Sequence, residues 1–123
     1  MTETTEQVLG RPVTVRVERL GGDLHVLVHG GDAPHMGGMA LAIPYLSAGT
    51  RPSAYLSSLS VPGHKDEELW RRMAKRLAVE FDTKVVVAGG VHFDGLAAEE
   101  VALVSEQIEE AARAAVRAEV EGA

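Results

Sequence analysis

Cysteine is absent from the 123 residues. That excludes disulfides, iron–sulfur clusters, thiolate zinc sites and a cysteine nucleophile. There is no excess of positive charge either: 12 Lys+Arg against 18 Asp+Glu leave a formal net charge of -6. This balance argues against a nucleic-acid module, whose binding face is normally basic. No apolar run approaches the ~20 residues needed to cross a bilayer, and no apolar leader region follows Met1. Such a chain is expected in the cytoplasm, with no membrane association. Neither a P-loop nor a GxGxxG string occurs. Ser57, Ser58 and Ser60 fall in a strand pattern without a G-x-S-x-G elbow, so a serine triad has no support.

What is present suits one folded unit. Residues 1–123 are expected to form a single domain. A content of 46% hydrophobic and 24% charged residues can build a core. Residues 1–8 are polar and read as a loose tail.

Val13, Val15 and Val17 alternate with polar residues, as do Leu24, Val26 and Val28 with His25, Leu27 and His29. Gly21-Gly22 between the two runs predicts a β-hairpin. Two further strands are expected over residues 39–46 and 54–61, with Pro44 forcing an edge or a bend. The period then changes. Leu69, Trp70, Met73, Ala74, Leu77, Ala78 and Phe81 recur at helical spacing, behind an acidic start at Asp66, Glu67 and Glu68. Val85-Val86-Val87 predicts a strand buried on both faces. A second helix is expected over residues 97–120, with Val101, Val104, Ile108, Ala111 and Ala115 along its apolar stripe. The order β-β-β-β-α-β-α predicts an α+β fold, a mostly antiparallel sheet covered by two helices.

Polar residues able to do chemistry gather in three expected loops. Residues 30–38 hold four glycines with Asp32, His35 and Met36. Close backbone approach to a planar ligand would use such glycines, and so would a plain hairpin connection. Residues 62–66 place His64 and Lys65 just before a helix, where free N–H groups and the dipole favour phosphate or carboxylate. Residues 89–95 place His92 and Asp94 beside Gly89 and Gly90, where Asp94 can orient a ligand or merely cap the second helix. His25 and His29 stand four residues apart on one strand, roughly 13 Å, so they cannot chelate one ion. His35, His64 and His92 could converge into a three-histidine zinc site, although no HxH or HxxxH pair on a helix supports one. The methionines read as core or gap-filling residues.

The three strings together resemble LpdD-like proteins. Gly30-Gly31-Asp32-Ala33-Pro34-His35-Met36-Gly37 is similar to that family's G-G-D-x-P-H-x-G signature. His64-Lys65-Asp66 ahead of a helix is similar as well, as is Gly90-Val91-His92 followed by Asp94. The resemblance implies a small subunit accompanying UbiD-type gallate and protocatechuate decarboxylases. Such a subunit would be a carrier or chaperone of prenylated flavin mononucleotide and not the decarboxylase. The implied fold is of the proteasome-assembly-chaperone type, and a homodimer is expected. Implied partners are a UbiD-type decarboxylase and a flavin prenyltransferase. Carried over by position, Gly31, Asp32, His35, Met36, Gly37, His64, Lys65, Gly90, His92 and Asp94 would form the site for prenylated FMN or FMN. Two other readings stand beside this one. The chain could be an assembly subunit binding nothing small, or a small lyase or hydrolase using His35 and His92 as acid and base.

Overall fold

A computed structural model describes residues 1–62 and 66–122. The described residues form β1 (Thr2–Val8), β2 (Arg11–Leu20), β3 (Asp23–Gly31), β4 (Gly38–Ser47), β5 (Arg51–Ser60), α1 (Asp66–Phe81), β6 (Val85–His92) and α2 (Ala98–Glu121). The six strands make one sheet in the order β1-β2-β3-β6-β4-β5. Every neighbouring pair is antiparallel except β3 and β6. The α+β class and the mostly antiparallel sheet are as the sequence predicts.

The hairpin β2–β3 turns at Gly21, whose φ of 64° suits glycine. Its register sets Val15 beside Val28 and Val17 beside Val26, so their side chains share one buried face. Both helices lie on that face, α2 across β1 and β2, α1 across β4, β5 and β6. Opposite α1, β4 offers Gly38, Ala40 and Ala42, all buried. Small residues there leave room for Trp70 and Met73, the two largest fully buried side chains. Beyond Ala42, β4 loses its β6 partner, and Pro44 sits in that half-paired stretch. Among the described residues, no helix covers the other face of the sheet. Leu27, Ala88, Met39 and Leu59 form one row across it, and Val86 and Leu41 begin the next.

Several expectations are corrected. Residues 2–8 are not a tail but the edge strand β1, so five strands precede α1 instead of four. Threonine suits a strand, and the register Thr2↔Val17 and Thr4↔Val15 turns those threonines toward α2. Thr2 Oγ1 donates to Glu119 at 2.9 Å, the α-amino group pairs with the same carboxylate at 3.0 Å, and Val8 is buried. The glycine-rich loops are shorter than their composition suggests. Gly30 and Gly31 finish β3, Gly38 opens β4, and Gly89 to His92 belong to β6. Glycine is rare in strands, so these read as loop. On α2 the buried stripe is Val104, Ile108, Ala112, Ala115 and Val116, while Val101 is exposed. Met73 is a core residue, but Met36 and Met39 are exposed.

Because Val8 anchors β1, Val8→Ala should lower the unfolding free energy by about 2 kcal/mol in a urea titration. An unchanged midpoint would return residues 1–8 to the role of a tail.

Candidate functional site

β1, β3, β5 and β6 all run the same way, as their pairings require. Their C-terminal ends therefore share one rim of the sheet. The turn at Leu9 and Gly10, the loop after Gly31, the chain leaving β5 and the loop after His92 all meet there. This is how residues distant in sequence become neighbours.

Asp32 ties two of these loops together. Its backbone N–H donates to His92 O at 2.6 Å, and its carboxylate accepts the backbone N–H of Asp94 at 2.8 Å. Arg11, the first residue of β2, reaches the same carboxylate with Nε at 3.3 Å and donates to the Asp94 carbonyl at 3.0 Å. Its guanidinium also lies 5.4 Å from the centre of the Phe93 ring. Hydrogen bonding from Asp94, opposed by some desolvation and aided by Arg11, holds the Asp32 carboxyl below its ordinary range. His92 Nε2 lies 2.7 Å from Asp94 Oδ1, and both side chains are largely exposed.

His35 organises the other half of the rim. Its Nε2 lies 3.0 Å from Asp66 Oδ2, and its Nδ1 lies 3.1 Å from Ala33 O. A Cβ on Gly90 would meet the His35 ring at 2.7 Å, so the ring lies against bare backbone. A Cβ on Gly37 would collide with Asp66 Oδ2. Gly37 N–H donates to Gly89 O at 2.8 Å, and buried Trp70 Nε1 donates to the same oxygen at 3.1 Å. Gly31 packs in the same way, since a Cβ there would strike the His92 carbonyl. These glycines are thus required by contacts within the chain.

Of the residues expected at the site, Gly31, Asp32, His35, Gly37, Gly90, His92 and Asp94 do converge on this rim. Met36, next to His35 in the chain, is 66% exposed. His64 and Lys65 lie outside the described residues. Asp94 does not cap α2; that start is closed by Glu100, whose carboxylate accepts the Ala97 N–H at 2.9 Å. Among the described residues no three His, Asp or Glu side chains stand close enough to hold a metal ion. A groove of about 720 Å³ lies away from the rim, between α1 and α2, above Met73, Leu77 and Ala112. Arg11, Phe93 and His29 were not expected here. His29 pairs with Gly90 across β3 and β6. For Arg11 the only sequence signal was its place after the Leu9-Gly10 turn, which says nothing of a partner 21 residues on.

The lowered pKa of Asp32 carries a sign. Its stabilising contribution is complete above the unfolded-state value, near ~4, and is lost as pH falls through the lower folded value. Asp32→Asn should therefore reduce the melting temperature at neutral pH and flatten its decline in acid. A mutant profile parallel to the parent's would show that the Arg11–Asp32–Asp94 clasp contributes none of that decline.

The chain can now be set beside known proteins. The sequence profile of the prenylated flavin chaperone LpdD-like domain matches residues 7–119. No protein with a curated function matches. Among solved structures, one from a chaperone complex for yeast 20S proteasome assembly superposes with a TM-score of 0.58 at 13% identity. The match covers 97% of this chain and 98% of that one. At such identity it establishes the fold, a mixed α+β arrangement shared with a proteasome assembly chaperone. With nearly its whole length matched, the chain belongs to the LpdD-like prenylated flavin chaperone family, and that family's chaperone role makes it an accessory protein, not an enzyme.

Proposed function

We propose that this chain is a cytoplasmic, homodimeric carrier of prenylated flavin mononucleotide that delivers the cofactor to a UbiD-type aromatic acid decarboxylase. A flavin prenyltransferase would be the source of the cargo. The observation that carries this reading is the pairing of chemistries at the rim. His92 and Asp94 are exposed at the rim, and so is Met36, the chain neighbour of His35; Arg11 holds the Asp94 carbonyl. A flavin presents a hydrogen-bonding pyrimidine edge and ribityl chain together with a broad apolar ring, so these residues fit it. The cofactor supplies the reactive ring for chemistry performed elsewhere.

In this reading His92 and Asp94 bond the polar edge, and Met36 covers apolar ring surface. His35 is held by Asp66 and fixes the wall at Gly90. By family resemblance, His64 and Lys65 would take the phosphate. Holding without turnover needs no general base at the reacting atoms. It needs shape, exclusion of oxygen and a release path.

A second reading is favoured by one observation. Gly31, Gly37 and Gly90 are occupied by contacts within the chain, which is what a protein-binding surface with no small ligand would also show.

Native mass spectrometry with an absorbance spectrum separates the two. After co-expression with a flavin prenyltransferase and anaerobic purification, a carrier retains the mass of prenylated flavin and releases it unchanged. A protein that stays empty and ignores added flavin is an assembly subunit instead. Within a carrier, His35→Ala should weaken flavin binding by about tenfold or more, because the wall at Gly90 loses the ring that lies against it. His25→Ala, on β3 away from the rim, should weaken it less. The reverse order would mean that the ligand is held away from the rim.

A further inference from the structure

We infer that the helix-free face of the sheet is where two copies of this chain pair. The homodimer of the proposed function is the starting point; its interface is what the face adds. In a sheet covered on one side, the open side normally alternates to polar residues. Here the half formed by β6, β4 and β5 is mostly apolar, with Ser57 between Leu59 and Tyr55. Leu59 is 71% exposed, Tyr55 62% and Met39 41%, and all three lie on this side with Ile43. They continue the row through Leu27 and Ala88 into one apolar patch. A contiguous patch of this kind marks an interaction surface.

The face as a whole, patch and polar margin together, is of the size one partner covers. Six strands spaced ~4.8 Å apart, each about nine residues at ~3.4 Å, span on the order of 800 Å². A standard interface takes ~800 Å² from each side. Its charge pattern fits a second copy. The polar margin on β2 carries Arg16 and Glu18, two residues apart, with Arg16 Nε 2.8 Å from Glu18 Oε1. A two-fold axis running across the strands lays each strand over its own copy, reversed. Centred between the Leu27 and His25 rows, it sets Arg16 opposite Glu18 of the partner subunit. It also sets Ala88 opposite Val86 of the partner subunit, small against large. Self-complementarity of this sort is what an isologous interface requires.

The same axis brings the Ile43–Tyr55 end of one copy over the Gly37–Gly90 end of the other. Tyr55 stacks on Tyr45 with ring centroids 4.2 Å apart, giving a firm aromatic wall there. The rim of each copy would then be walled by both chains, which a 13.1 kDa protein needs in order to enclose a flavin.

Sedimentation velocity on the full chain tests this without any flavin. The parent should be a dimer at micromolar concentration. Met39→Glu with Leu59→Glu should raise the dissociation constant by more than about a hundredfold, because four carboxylates would enter an apolar interface. Far-UV circular dichroism should be unchanged, since both positions are exposed; should the pair fail to fold, Met39→Gln with Leu59→Gln takes its place. Val101→Glu with Leu103→Glu, exposed on α2, should leave the dimer intact. Arg16→Glu should weaken the dimer, and adding Glu18→Arg should restore it. A monomeric parent would overturn both the homodimer and this interface. A parent dimer that tolerates the sheet-face changes would overturn the interface alone.

Discussion

The carbonyl oxygen of Gly89 is where helix, sheet and rim are joined. Gly89 adopts a φ of 130°, and a side chain there would collide with the carbonyl of Val28. In that conformation its oxygen accepts two N–H groups, one from the Trp70 indole on α1 and one from Gly37. The first fixes the rotation of α1 against the sheet through a fully buried side chain. The second fixes the return of the chain into β4. Asp66, one turn before Trp70, is then placed to hold His35 over Gly90. The rim follows from a backbone geometry only glycine adopts at low cost.

Much of the fold was legible in the sequence. The hairpin, both helices and the strand at Val85 announce themselves by period, because each buries one side of a regular element. The edge strand β1 did not. Its facing threonines and glutamates carry no apolar alternation, and its stability comes from pairing with β2 and from Glu119, more than a hundred residues away. The ends of β3 and β6 were hidden for the opposite reason, since glycine signals a turn and here serves close packing.

The site was legible in part, for a related cause. Short strings around His35, Met36 and His92 named residues that do converge. What joins them was invisible: Arg11 reaches Asp32 and Asp94 only because β1, β3 and β6 end on the same side. The role of the glycines was also read too directly. Gly37 and Gly90 make room for Asp66 and His35 within the chain. Their absence of side chains builds the wall of the site and not its floor. The polar groups at the rim fix one another in place: Arg11 holds Asp32, Asp66 holds His35, and Asp94 holds His92.

β6 lies between β3 and β4, yet it is made after both. Its pairing with β3 joins residues about sixty apart, so it cannot form until α1 has been synthesised and turned back. Contacts that close long loops come late in folding. Every rim contact described above involving Gly89, Gly90, His92, Phe93 or Asp94 waits for that insertion. A half-folded chain has the signature residues but no place for them to meet. The convergence of the three loops is therefore coupled to completed folding: only a finished molecule has the rim, and an immature one presents none of it.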